Sequence, residues 1–294
     1  MKILIAEAFD AHLPGRLAAF GEVSRDMATL GEAEVLLVRS KVQVDGDLLA
    51  QAPRLKLVMR GGVGMDNIDA KACEARGIRA LNTPQASKIA VAELAMAFMV
   101  AIPARLIEAH LSMKEGKFLK KDLVRTELYG KTLGLVGAGN IATEVARRAQ
   151  AFGMEVLAYD PHLSEHPMAR LMPSLEDLVA QCDFLSLHLP LTASTRRIIN
   201  AQVIDRMKPG IILINTGRGK CVVEEDLAEA LRSGKVRAYG TDVFQSDPPP
   251  ADSPILAAPH VYLSPHIGAN SEENLTRIGD AFLEILEEYA ARKS

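Results

Sequence analysis

The chain has 294 residues, with 34 basic and 37 acidic side chains for a formal charge of −3, and is 48% hydrophobic and 24% charged. This is globular composition on the scale of about two domains; it excludes disorder and disfavours nucleic acid or an anionic membrane as the main partner, while leaving a small anionic ligand open. Cys73, Cys182 and Cys221 form no C-x-x-C pair and read as small core residues with reduced thiols, which points to the cytoplasm. The apolar run at the N-terminus is too short for a signal peptide, and the stretch 91–107 is broken by Glu93, Pro103 and Arg105, short of the roughly 20 apolar residues of a membrane span.

In chain order, strand-like runs are expected at 2–6, 33–39, 55–59, 132–136, 156–159, 184–188, 211–215, 238–242 and 261–264. Amphipathic stretches separate them, the pattern of parallel βαβ units with helices on both faces. Ser174 precedes an acidic first turn and reads as a helix N-cap. Val223-Glu-Glu-Asp opens another helix, which Gly234 closes. A helical stretch over 89–117, broken at Pro103, separates two βα series. In the last helix Leu275, Ile278, Phe282, Ile285, Leu286 and Tyr289 share one apolar face, which could fold back on the first series and make that domain discontinuous.

The run Thr132-Leu-Gly-Leu-Val-Gly137-Ala-Gly139-Asn140-Ile141-Ala142 is a strand entering G-x-G-x-x-A. The first glycine permits the tight turn, the second lets the backbone approach a pyrophosphate, and the third small residue permits close helix–strand packing. A helix over 142–152 turns its N-terminus to the phosphates. Asp160, about 20 residues further on, stands where a carboxylate accepts ribose hydroxyls. With no Arg following it, the expected cofactor is NAD(H) rather than NADP(H). Three more motifs close apolar strands: Asn215-Thr-Gly-Arg218-Gly219, Asp242-Val-Phe-Gln-Ser-Asp247-Pro248 and Leu263-Ser-Pro-His266-Ile-Gly268. Ligands of open α/β sheets bind beyond the carboxyl ends of strands. There Arg grips a carboxylate in a planar fork, His exchanges a hydroxyl proton, and an acidic neighbour fixes the imidazole tautomer; together they suit hydride transfer on a 2-hydroxy acid.

Further motifs join these in one order: Val38-Arg39-Ser40, Arg60-Gly-Gly-Val-Gly-Met-Asp-Asn-Ile-Asp69, Asn82-Thr-Pro84, Val91-Ala-Glu93 and His188-Leu-Pro190. Nearly end to end, the chain resembles the D-isomer-specific 2-hydroxyacid dehydrogenases, and within them the phosphoglycerate dehydrogenases. The resemblance implies an α/β fold of two Rossmann-like domains with parallel sheets: a discontinuous substrate domain over 1–95 plus 276–294 and an NAD-binding domain over 96–275. It carries the catalytic roles to Arg218 and His266, with Asp247 where the family has Glu, one methylene longer, so the contact with His266 is expected to be looser or to need a backbone shift. Cofactor contacts fall on Gly137, Gly139, Asn140, Ile141, Asp160, Leu189, Thr216, Asp242, His266 and Gly268. Substrate contacts fall on Arg39, Arg60, Gly61, Gly62 and Arg218. NAD is the implied cofactor, no metal is expected, and a homodimer is implied around 89–117. The expected activity is NAD-dependent interconversion of a D-2-hydroxy acid and its 2-keto acid, with 3-phosphoglycerate as the leading substrate. A glyoxylate/hydroxypyruvate-type reductase and a non-enzymatic NAD sensor are the alternatives. Phosphoglycerate dehydrogenases often carry C-terminal regulatory domains; with the sequence ending at Ser294, feedback control of that kind is expected to be absent.

Overall fold

The computed structural model describes residues 1–291, and the chain divides into two compact units. Unit 1 is Met1–Ala90 with the segment from Ala269 onward; unit 2 is Val91–Gly268. The boundaries thus fall at 90/91 and 268/269, not at the expected 95/96 and 275/276. Packing explains both shifts. Ala92, Ala95, Met96 and Met99 of the helix Lys88–Ala101 are buried with Leu133, Leu135 and Val145 in the core of unit 2. Past Gly268, the Ala269 carbonyl accepts from Asn274 Nδ2 (2.7 Å) at the start of the last helix, Glu272–Ala291. The last three residues of the expected terminal segment lie outside the described residues.

Unit 1 is built on β1 (Lys2–Ile5), β2 (Glu22–Ser24), β3 (Val35–Val38), β4 (Leu57–Arg60) and β5 (Arg79–Asn82), all parallel, in the order β2-β1-β3-β4-β5. Ile278, Phe282, Leu286 and Tyr289 of the last helix are buried against Ile3, Leu13, Leu37 and Met59. Phe282 meets Phe9 edge-on at 5.3 Å between ring centroids, a favoured aromatic geometry.

Unit 2 adds β6 (Thr132–Val136), β7 (Glu155–Tyr159), β8 (Arg170–Leu171), β9 (Phe184–Leu187), β10 (Ile211–Asn215), β11 (Val236–Thr241) and β12 (Val261–Leu263). Their order is β12-β11-β10-β9-β6-β7-β8, again all parallel. Counted from β6, this is the dinucleotide-binding strand order with one strand added at the edge, and the order reverses between β6 and β9. Strands 2 to 6 residues long alternate with helices whose ends follow local chemistry. Ser174 Oγ accepts from the Asp177 N–H (3.0 Å) to start Leu175–Val179. Gly234, at φ 77°, ends Glu224–Ser233 with a left-handed turn that favours glycine. Around Pro103 the stretch breaks into Lys88–Ala101 and Leu106–Lys114, bent by 66°. Among the described residues no single helix is long and apolar enough to cross a membrane.

Candidate active site

The turn after β6 is shaped by its glycines. Gly137 has φ 85°, and a Cβ there would lie 2.8 Å from the His188 carbonyl oxygen. A Cβ at Gly139 would meet no protein atom within 4 Å, so another molecule can approach this backbone. Gly139 caps the helix Asn140–Ala151 without a side-chain hydrogen bond, leaving the first N–H groups, at Asn140 and Ile141, to an anion. Asp160, just past β7, accepts from the Ala138 N–H (3.0 Å) and the His162 N–H (3.0 Å), which sets its carboxylate beside the glycine turn. Leu189 packs against Gly137 from the β9 side, with its Cδ2 3.1 Å from a Cβ built there, and its backbone lies against Gly217. Thr216 Oγ1 and His188 Nδ1 are buried without a hydrogen-bond partner among the described residues. Burial pushes the His188 imidazole down to about 4, so it is neutral near pH 7. An open glycine turn, an uncapped helix N-terminus, a carboxylate at the next strand end and an orphaned hydroxyl together fit NAD.

The next three strand ends carry the polar chemistry. Past β10, Asn215 is fully buried; it accepts from the Gly217 N–H (3.0 Å) and donates to the Arg218 carbonyl (3.1 Å), which fixes the turn bearing Arg218. The Arg218 guanidinium also donates to the Gly217 carbonyl (2.8 Å). Gly219 lies directly against the Phe244 backbone, where a Cβ would come within 2.0 Å of the carbonyl carbon, so the turns after β10 and β11 touch. Past β11, Asp242 is enclosed. Its oxygens accept from Ser264 Oγ (2.5 Å), the Ile267 N–H (2.8 Å) and the Gly268 N–H (2.7 Å). Asp242 and Gly268, expected as cofactor contacts, thus hold each other and the loop after β12, with Asp242 Oδ2 accepting from the Gly268 N–H alone among the described residues. That loop holds His266 at φ 54°, a left-handed conformation uncommon for a non-glycine residue. His266 Nδ1 is hydrogen-bonded to Asp247 Oδ2. The expected looser contact is not found: the shorter side chain reaches the imidazole directly.

In unit 1, the Gly61 N–H donates to the Val38 carbonyl (2.8 Å) and the Gly62 N–H to Thr83 Oγ1 (2.9 Å). The expectation that both glycines contact substrate is corrected for their N–H groups, which are already committed. A Cβ at Gly61 would lie 2.6 Å from Phe9 and 2.9 Å from Ile278, so this glycine serves core packing. The two N–H groups that follow, of Val63 and Gly64, make no hydrogen bond among the described residues, while Asn82 Nδ2 grips the Val63 carbonyl (2.5 Å). Sequence reading missed this pair; a backbone donor carries no side-chain signature, and only the committed neighbours reveal it. The Arg60 guanidinium lies beside the same loop, with Nη1 2.1 Å from a Cβ built at Gly62. Arg39 donates to the Ala8 carbonyl (3.4 Å), Asn270 Oδ1 (3.3 Å) and the Ala269 carbonyl (3.4 Å), and burial pushes its guanidinium down from its ordinary value. Among the described residues no cluster of His, Cys, Asp or Glu could hold a metal ion.

Residues 96–268 match the family model described as D-isomer specific 2-hydroxyacid dehydrogenase, NAD binding domain. The chain belongs to the D-isomer-specific 2-hydroxyacid dehydrogenases. It is similar to the hydroxypyruvate reductase of Thermotoga maritima, 46% identical over 88% of this chain and 85% of that protein. It is also similar to the D-3-phosphoglycerate dehydrogenase of Mycobacterium tuberculosis, 40% identical over 94% of this chain and 54% of that protein. The chain thus spans about half the length of the phosphoglycerate dehydrogenases it matches. Among solved structures, the Aquifex aeolicus D-lactate dehydrogenase complexed with NAD and lactic acid superposes with a TM-score of 0.87, at 28% identity over 99% of this chain and 96% of that one. This dehydrogenase is an NAD-dependent oxidoreductase, and unit 2 holds its NAD-binding domain.

Proposed function

We propose that this dehydrogenase interconverts a D-2-hydroxy acid that carries a second anionic group, 3-phosphoglycerate, with its 2-keto acid. The observation that carries the chemistry is the His266–Asp247 hydrogen bond at Nδ1, which leaves Nε2 as the nitrogen that exchanges protons with substrate. In oxidation neutral His266 accepts the hydroxyl proton at Nε2, and its Nδ1–H donates to Asp247. Arg218 grips the substrate carboxylate and steadies the oxygen that becomes the carbonyl. NAD, held by Gly137, Gly139, Asn140, Ile141 and Asp160 with Leu189 and Thr216 beside it, supplies the hydride acceptor when bound. In reduction the imidazole starts with a proton on both nitrogens and returns the one on Nε2.

The substrate assignment draws on the loop after β4, where the Val63 and Gly64 N–H groups and the Arg60 guanidinium suit an anion. A second reading, reduction of unphosphorylated hydroxypyruvate, is favoured by Arg39, whose donors already serve Ala8, Ala269 and Asn270. The Leu106–Lys114 helix and the residues after it expose Leu106 (60%), Met113 (57%) and Phe118 (76%), an apolar face in keeping with a homodimer. Three free, buried cysteines accord with a cytoplasmic enzyme.

The test is a kinetic panel of 3-phosphoglycerate and D-glycerate with NAD, on the wild type, Arg60→Ala and His266→Ala. Arg60→Ala should raise KM for phosphoglycerate far more than for glycerate. His266→Ala should lower kcat by roughly 10²–10⁴ with little change in NADH affinity. A wild type that prefers glycerate gives the second reading its place, and near-normal turnover of His266→Ala refutes the proton-transfer assignment.

A further inference from the structure

The loop after β11 that carries Asp247 is pinned at two points by one side chain. Glu224, the first residue of the helix Glu224–Ser233, is only 8% exposed. Its Oε1 accepts from the Gln245 N–H (3.3 Å) and its Oε2 from Ser253 Oγ (3.0 Å), and Ser253 is itself buried. Asp247 lies between these anchors, followed by Pro248, Pro249 and Pro250, whose rings fix their backbone φ. A carboxylate in the first turn is stabilised by the positive end of its helix. The helix is entered from the turn after β10 that carries Arg218, and that turn already abuts Phe244 through Gly219. One short stretch, 215–224, therefore carries Arg218 at one end and the clamp on the Asp247 loop at the other.

We propose that Glu224 is a positioning residue, which by clamping Gln245 and Ser253 holds Asp247 against His266 and in register with Arg218. The inference rests on the proton-transfer role given above to His266 and Asp247. Without the clamp the loop keeps its prolines but loses both anchors, and Asp247 no longer holds the Nδ1–H of the imidazole. Glu224→Gln keeps an acceptor for the Gln245 N–H and offers Ser253 a donor, so it is the conservative variant.

The experiment is a double-mutant cycle on the full chain with NADH and the better turned over of 3-phosphohydroxypyruvate and hydroxypyruvate: Glu224→Ala, Glu224→Gln and Ser253→Ala, each alone and combined with Asp247→Ala. Thermal unfolding and NADH affinity are measured alongside, with the His266 Nδ1–H resonance by NMR. A misplaced proton-transfer group costs about 10- to 100-fold in kcat, and Glu224→Ala should lose on that scale with NADH affinity unchanged. Ser253→Ala should lose less, Glu224→Gln should recover most of the loss, and the Nδ1–H resonance should vanish in Glu224→Ala and return in Glu224→Gln. In the Asp247→Ala background neither Glu224→Ala nor Ser253→Ala should lower kcat further. Losses that multiply with Asp247→Ala, or an Nδ1–H resonance that persists in Glu224→Ala, overturn the inference. Should Glu224→Ala fail to fold, Ser253→Ala decides the cycle by the same criterion. If Asp247→Ala alone leaves kcat intact, the proton-transfer reading fails and the clamp's proposed purpose falls with it; a large Asp247→Ala loss with multiplying effects sinks the clamp alone.

Discussion

Both units use a carboxylate just past a strand to gather the loop that follows the neighbouring strand. In unit 1, Glu7 follows β1 and accepts from the backbone N–H groups of Arg39 (2.6 Å), Lys41 (3.0 Å) and Val42 (3.3 Å), in the loop after β3. In unit 2, Asp242 follows β11 and gathers Ser264, Ile267 and Gly268, in the loop after β12. Each pair of strands is adjacent in its sheet. What differs is water: Glu7 is half-buried, whereas Asp242 is 1% exposed. A charge-assisted hydrogen bond to a partly solvated carboxylate is replaced by water at small cost, but a buried donor that loses its acceptor bears its full desolvation penalty. The same device therefore tethers the Arg39 loop and locks the His266 loop.

Removing each clamp exposes the difference. Asp242→Ala strands two backbone donors and the Ser264 hydroxyl, and should cost about 2–5 kcal/mol, read as a lower urea midpoint without cofactor. His188, half-buried just past β9 with its Nδ1 enclosed, gives unit 2 a pH dependence. Its folded value of about 4 lies below the ordinary 6.5, so the unfolded chain binds the proton first as pH falls. Stability from this group is complete above pH 6.5 and declines toward pH 4, by about 3 kcal/mol in all; unfolding midpoints of wild type and His188→Gln over that range should show the slope only in the former.

Two glycines sharpen the contrast between core and ligand face. Gly61→Ala forces a methyl onto Phe9 and Ile278 and should destabilise by about 1–3 kcal/mol. Gly139→Ala meets no protein atom, so the unfolding midpoint should hold while NADH affinity, measured by fluorescence titration, falls. Smallest is Glu7→Gln, expected to cost about 1 kcal/mol or less because its loop turns to water. A Glu7→Gln loss as large as that of Asp242→Ala would remove the role given to burial.

The strands that composition marks are the interior ones and one edge, β12, which a short apolar run announces. β6 and β10 are found at the residues where their apolar runs place them. β2, β5 and β8, the other three edges, escape notice because they are short, carry exposed residues and have no continuous apolar run to announce them. The site divides the same way. Arg218, Asp247 and His266 are legible because charged groups stand at the ends of apolar strands. The Val63 and Gly64 donors are not, since any residue has an N–H. Glu224 reads from sequence only as an acidic helix start, and its second use depends on a loop that arrives 21 to 29 residues later. Asp242 was legible as polar but not as enclosed, because its three donors come from β12's loop, brought near only by the pairing of β11 with β12.

The cysteines give the molecule an internal reporter. Cys73 is buried in unit 1, and Cys182 and Cys221 in unit 2. Burial drives the Cys182 thiol up to about 12, so it stays protonated and unreactive while its surroundings hold. An alkylating reagent therefore modifies it only when that part of the chain opens. Mapping which cysteine is labelled first under mild denaturant, by mass spectrometry, reads the opening of each unit separately from a single sample, without any engineered probe.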